Sequence, residues 1–272
     1  MGMYFDTPKA HYSWRNYRIP TVVKVMEAVT LLTPEDTTSV RMMQRWLLQE
    51  KRTQLWNTSV NSIDAIHAFL SAGGNGQEKM QNATIFQLDG QPLSMPPSTA
   101  SVGYLKTMLP DCPAQKLTID KSSEGTSWGA VYIQSMEPLE KVADASSGFT
   151  VKREVVSEGD VLKVGDKIKV RITIRADRDY DFVQVVDKRA SCLEPVRQLS
   201  EYHWGYYSQR KDCSTLYFIQ HMSKGVHVLE TEYYVDREGD YGMGTCTVQC
   251  AYAPEFTART KGGIIRAVMK QE

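Results

Sequence analysis

Cysteine is scarce in this chain of 272 residues, and what there is does not pair. Cys112, Cys192, Cys213, Cys246 and Cys250 are an odd, sparse set, which argues against a disulfide framework. Cys246 and Cys250 sit in the alternating run TCTVQCAY. Four residues along a strand is about 13 Å, beyond the roughly 7 Å Cα reach of a disulfide and too far to share a metal. Both read as small buried hydrophobes. An excess charge of either sign is also missing: Lys+Arg and Asp+Glu are both 32. A neutral chain has no whole-molecule attraction to nucleic acid or to an anionic membrane. No apolar run approaches the roughly 20 residues of a spanning helix. The start, MGMYFDTPKAHYSW, lacks a charged region followed by an apolar stretch, so it does not read as a signal peptide. It reads as a chain entered mid-protein behind an added Met. There is no Gly-x-Ser-x-Gly elbow, phosphate loop or dinucleotide fingerprint. His11, His67, His203, His221 and His227 show no metal-ligand spacing on any expected element.

What is present divides by period. The first 75 or so residues are helical. Val22, Val25, Met26, Val29 and Leu32 recur at helical spacing behind Pro20. Thr33-Pro34-Glu35-Asp36 is a helix start with Thr33 as the cap, leading into Val40, Met43, Trp46 and Leu47. A third helix opens at Thr58 or Ser59, places Ile63, Ile66, Phe69 and Leu70 on one face, and stops at Gly73-Gly74. The Gly73–Gly76 stretch has no following Lys-Ser/Thr and reads as a hinge.

Beyond this the period becomes two. Strands are expected at 83–88, 102–109, 115–120 and 128–135, with a tight turn at Asp89-Gly90 and a loop at 95–98. Glu140–Gly148 reads as a connector. Phe149–Val156 and Val161–Val164 flank a turn at 158–160. In Lys167–Arg175, Ile168, Val170, Ile172 and Ile174 take one face and the charged residues and Thr173 the other, the signature of a half-buried antiparallel strand. Phe182–Val186, Thr215–Gln220, Val226–Val235 and Gly244–Tyr252 continue the set, and Ile264–Met269 reads as an edge strand. Helices first and strands afterwards imply segregated domains.

Residues 163–167 (KVGDK), 171–179 (RITIRADRD) and 181–183 (DFV), with Cys192–Pro195, Lys211-Asp212 and Gln249–Phe256, resemble the C-terminal macroglobulin domain of bacterial (Bacteroidetes-type) alpha-2-macroglobulins. The resemblance is specific over about residues 146–272. Upstream, Trp56–Leu70 resembles a helix pair of that family's α/α toroid, and residues 83–145 resemble its CUB-like strands. The resemblance implies an α+β multidomain chain: a partial α/α toroid over 1–82, a small CUB-like β unit over 83–145, and an antiparallel β-sandwich over 146–272. It also implies a non-enzymatic, cofactor-free piece of a secreted or periplasmic protease trap. Target proteases would be met through the full-length parent, with upstream macroglobulin domains as neighbours. A truncated toroid would leave apolar helix faces open to self-association.

The family's thioester signature is Cys-x-Glu-Gln. Here Cys192-Leu193-Glu194 is followed by Pro195, which has no carboxamide, so no thioester is expected. The run 177–181 (DRDYD) begins like a calcium loop but has Phe182 where Gly is needed and Lys188 where a bidentate Glu is needed. It reads as a solvated turn. Tyr202, His203, Trp204, Tyr206 and Tyr207 form an aromatic loop, either a cover for the end of the sandwich or an interaction loop for glycan or protein through Tyr202, Trp204, Tyr206 and Tyr207. The acids of the helical segment, among them Glu27, Asp36 and Asp64, are too scattered for a toroid enzyme's paired carboxylates.

Overall fold

The computed structural model describes residues 2–7, 17–56, 58–72, 84–97, 104–122, 127, 129–159 and 161–270. They form two compact units, Met1–Leu47 with Trp56–Tyr132, and Leu48–Leu55 with Ile133–Glu272.

The first unit holds α1 (Arg18–Leu32), most of α2 (Thr37–Thr53) and α3 (Ser59–Ala72). Ile19, Val22, Val23 and Met26 of α1 pack with Met43 and Leu47 of α2 and with Ala65 and Ala68 of α3. Two sequence expectations change here. Thr33 does not open α2. Its hydroxyl and N–H both reach the Val29 carbonyl and close α1. Asp36 caps α2 by accepting from the Ser39 N–H at 3.0 Å, because a carboxylate reaches the third amide of the helix as well as a hydroxyl does. In α3 the inward face is Asn61, Ala65 and Ala68, while Ile63 and Ile66 are exposed. Alanines permit close helix approach, and the two isoleucines are left outside. Leu32, at the end of α1, is exposed as well. Thr58 does cap α3, through the Asn61 N–H.

A three-stranded antiparallel sheet follows: β1 (Thr84–Leu88), β2 (Gln91–Pro92) and β3 (Leu117–Lys121), in the order β2-β1-β3. Asp89 (φ 48°) and Gly90 (φ 82°) form the expected two-residue turn between β1 and β2, where positive φ at both centres matches the strand twist. Among the described residues, the strands expected at 102–109 and 128–135 amount to one isolated bridge at Tyr104. Residues 105–109 and 129–135 join no ladder, while Val102 and Trp128 lie outside the described residues. Gly73–Gly76 and Asp160 also lie outside them.

The second unit is the sandwich. Its strands are β4 (Ala145–Ser147), β5 (Phe149–Val156), β6 (Leu162–Lys163), β7 (Lys167–Ala176), β8 (Tyr180–Lys188), β9 (Leu193–Pro195), β10 (Glu201–His203), β11 (Tyr206–Lys211) and β12 (Ser214–Met222). β13 (Gly225–Val235), β14 (Gly239–Met243), β15 (Cys246–Cys250), β16 (Ala253–Arg259) and β17 (Gly263–Val268) complete it. A seven-stranded sheet, β10-β11-β12-β8-β15-β16-β4, shares one apolar core with a four-stranded sheet, β5-β7-β13-β9. The connector expected at 140–148 therefore contains an edge strand, β4, paired to β16. The expected edge strand at the C-terminus, β17, is instead the middle of a small sheet, antiparallel to β14 and parallel to β6.

β7 behaves as its alternation requires. Ile168, Val170, Ile172 and Ile174 are buried, each contributing about 1.5–3 kcal/mol of apolar burial. Its outward face is not a free basic strip. Across the β7–β13 ladder, Lys167 pairs with Glu232, and Lys169 and Arg171 both pair with Glu230, at 2.7–2.9 Å. These cations hold both glutamates below the usual carboxylate range.

Three polar contacts cross the core between the sheets. Arg153 of β5 donates to Asp187 of β8 at 2.9 Å. The Tyr217 and Thr231 hydroxyls meet at 2.5 Å and those of Thr215 and Tyr233 at 3.0 Å, each pair joining β12 to β13. Burial pushes the Asp187 carboxyl above its ordinary value, and Arg153 and Arg189 partly offset this. A carboxyl raised in the folded state adds stability below its unfolded value, near 3.9, and that contribution is lost as pH climbs through the folded value. Removing Arg153 pushes the carboxyl further up. Arg153→Met should therefore lower the urea-unfolding free energy of the sandwich by about 3–5 kcal/mol at pH 7 and by clearly less at pH 4. A deficit unchanged between pH 4 and pH 8 would show that the pair is not what the substitution disturbs.

Candidate functional site

Each side chain with chemical potential can be followed from its strand. Asp187 faces inward on β8, flanked in register by Thr215 of β12 and Cys246 of β15. An acid beside a thiol is the raw material of a nucleophilic pair, but burial defeats it here. Cys246 is fully buried, and desolvation drives its thiol far up, which keeps it protonated and unreactive. Cys250 and Cys192 are likewise fully buried with raised thiols. Cys192 stands at the entry to β9, next to Leu193 and three residues before Pro195, both of them buried. Arg189 holds that corner. Its guanidinium donates to the carbonyls of Leu193, Lys211, Ser214 and Asp212 at 2.5–3.2 Å, tying the β8–β9 and β11–β12 connections together.

The aspartates of the 177–181 run diverge. Asp177 accepts from Arg178 and from the Tyr180 hydroxyl. Asp179 caps the Lys224 N–H at 2.8 Å. Asp181 accepts from the Leu55 N–H at 2.5 Å and meets His221 Nδ1 at 2.6 Å. Phe182 adopts φ 58° and makes no ladder pair with Gln220, although the β8–β12 register is the same on both sides, and Tyr180 and Asp181 are both buried. Among the described residues no group of three or more His, Cys, Asp or Glu could hold a metal ion.

The aromatic loop is a hairpin. Tyr202 pairs with Tyr207 and His203 with Tyr206, and Trp204-Gly205 makes the turn, with Gly205 at φ 91°. Strand alternation sorts the rings. Tyr206 points inward and stacks on His203 at 4.7 Å, against Tyr217 of the core. Tyr202 and Tyr207 point outward, 4.6 Å apart, and Tyr207 stacks on Phe218 at 6.2 Å. Trp204 is fully exposed at the tip.

The outward strip continues across the sheet. Ladder register aligns Tyr202, Tyr207, Phe218, Gln184, Gln249, Thr257 and Ser147 in one row across all seven strands. Over the β15–β16 end of this row, residues 137–145 wall a cavity of about 440 Å³. Thr245, Thr247, Gln249 and Thr257 line it, with Lys188 and Arg259 beside them and Glu137 at the wall. The Arg259 Nε is spent on the Ala143 carbonyl. Sequence reasoning missed this cavity because its wall is the segment read as a connector.

Residues 145–255 match the family model of the bacterial alpha-2-macroglobulin MG10 domain. Over that span the sandwich is similar to an MG10 domain. The resemblance read from residues 146–272 thus holds over nearly all of that span. No curated protein matches the chain. Solved structures similar to it include trypsin-activated alpha-2-macroglobulin of Escherichia coli (13% identity, 94% of this chain, 19% of that chain, TM-score 0.48). The elastase-activated Escherichia coli protein is similar as well (15%, 90% and 23%, 0.47), as is the Y1175G mutant of Salmonella alpha-2-macroglobulin (15%, 96% and 18%, 0.41). The chain spans about a fifth of the length of these proteins. The likeness rests on the family match, which covers most of the sandwich and none of the helical segment.

Native alkylation followed by mass spectrometry should label the exposed Cys112 and Cys213 and leave Cys192, Cys246 and Cys250 unmodified until the protein is unfolded. Rapid native labelling of Cys192 would contradict the inertness of the sandwich's buried thiols.

Proposed function

We propose that this chain is the C-terminal structural part of a protease-trapping alpha-2-macroglobulin, without a catalytic or thioester site of its own. The observation that carries this reading is the MG10 family match over residues 145–255. Its support is chemical. The near-signature at Cys192 ends in Pro195, which cannot supply the acyl group. The three core thiols are held protonated by burial. Arg153, Arg189, Thr215, Tyr217, Thr231 and Tyr233 are engaged in joining sheets and loops. In this reading residues 1–82 are the end of an α/α toroid and residues 83–145 are CUB-like strands. The parent protein works outside the cytoplasm, in the periplasm or at the cell surface, and meets its target proteases through upstream domains. No helix among the described residues is long and apolar enough to cross a membrane.

The isolated chain should therefore neither inhibit nor retain trypsin or elastase in a stoichiometric assay against a large protein substrate. Measurable one-to-one trapping would sink the structural reading. A toroid piece also leaves apolar helix positions open: Leu31, Leu32, Ile63 and Ile66 are exposed. Sedimentation velocity should show concentration-dependent self-association that weakens in Ile63→Glu/Ile66→Glu. A strictly monomeric chain at high micromolar concentration would count against the toroid assignment.

A further inference from the structure

The two outward faces of the sandwich are chemically unlike. The β7–β13 face is a ladder of ion pairs, the usual dressing of a solvated sheet. The central row of the seven-stranded sheet, from Tyr202 to Ser147, carries no charge. Three aromatic rings are followed by two carboxamides and two hydroxyls, in register, over six inter-strand steps. At about 4.8 Å per step the row is roughly 29 Å long. The rings are not spent on the core, which is filled from the other side of the same strands by Tyr206, Tyr217, Ile219, Val183, Val185 and Val248. At its carboxamide end the row runs into the cavity lined by Thr245, Thr247, Gln249 and Thr257, with the charged Lys188, Arg259 and Glu137 at its sides.

We infer that this row and its cavity bind an uncharged linear glycan. A pyranose ring presents an apolar C–H face and a rim of hydroxyls. The first packs on aromatic surface, and the second needs groups that both donate and accept. Carboxamides and hydroxyls do both, whereas ammonium and carboxylate groups do only one at neutral pH. A row that is neutral along its length, aromatic at one end and amide and hydroxyl at the other matches that ligand and mismatches a polyanion or a basic peptide. The cavity takes one sugar unit or the chain end. Gln249 and Thr257 line it, each already donating once to a backbone carbonyl (of Pro254 and Val248) and each with a free acceptor, and Gln184 lies between Gln249 and Phe218 in the row. Tyr207 and Tyr202 carry the chain outward toward the hairpin. Tyr206, which faces the core, and Trp204, at the turn, lie off the row. The inference does not rest on protease trapping, since it concerns the domain's own surface.

The test is isothermal titration of the intact chain with three neutral hexasaccharides: chitohexaose, cellohexaose and maltohexaose. At least one should bind. Tyr202→Ala and Gln249→Ala, both outward and off the core, should each weaken it tenfold or more. Lys169→Ala, on the opposite face, should leave it unchanged, and circular dichroism will establish that each variant is folded. No binding of any hexasaccharide at millimolar concentration overturns the inference. So does binding that survives both row variants, or that is lost only on Trp204→Ala, which would move the site to the hairpin tip. Retention of an unrelated protein on the immobilised chain, lost in both row variants with no saccharide competing, would likewise assign the row to a protein and overturn it.

Discussion

Two sheets that share an apolar core can slide, because hydrophobic burial is non-directional. The buried polar contacts between β5 and β8 and between β12 and β13 remove that freedom. Arg153 reaches Asp187 and also the carbonyls of Lys188 and Gly244, so one guanidinium ties β5 to β8 and to the approach of β15. Tyr217 with Thr231, and Thr215 with Tyr233, do the same between β12 and β13. A register slip would strand these groups in the core, where an unmet polar group costs about 1–3 kcal/mol. Arg189 extends this constraint to the loops. The sandwich interior is thus polar at its seams for reasons of alignment, and an acid beside a thiol there has no solvent, cleft or leaving-group path with which to react.

Fixing the sheets fixes what each one shows outside. On the β7–β13 face the charges of neighbouring strands are opposite and paired, so the basic character of β7 taken alone does not survive assembly. On the seven-stranded sheet, strands from distant parts of the sequence bring uncharged side chains into one row. The segment before β4 folds over one end of it and makes a cavity. The aromatic residues of 202–207 acquire two roles from strand alternation: Tyr206 closes the core while Tyr202 and Tyr207 join the outer row.

Much of the sandwich was legible in the sequence. The alternation of Lys167–Arg175 named its buried face correctly, because a period of two with branched apolar residues has few other solutions. Asp89-Gly90 named its turn, because few residue pairs tolerate positive φ twice. Thr58 was legible as a cap. Other local signals were outcompeted. The Thr33-Pro34 start gave way to Asp36. The isoleucine stripe of α3 lost to the alanines that fit the α1 side. Apolar residues at 105–109 and 129–135 found no partner strand. Short strands such as β4, β9, β10 and β14 carry too few residues to show a period, and they exist because a neighbour accepts their hydrogen bonds.

The sequence by itself determined that the chain is helical first and β afterwards, that β7 has one wet face, and that Cys192-Leu193-Glu194-Pro195 cannot make a thioester. These follow from side-chain chemistry and from periods that no tertiary context alters. Only the tertiary structure decided that Cys246 lies beside Asp187 in a sealed core, that Glu230 and Glu232 neutralise β7, that the three aspartates of 177–181 share no partner, and that Tyr202, Phe218, Gln184 and Gln249 share a row. Each of these depends on ladder register between strands far apart in sequence, which the pairing of whole sheets sets.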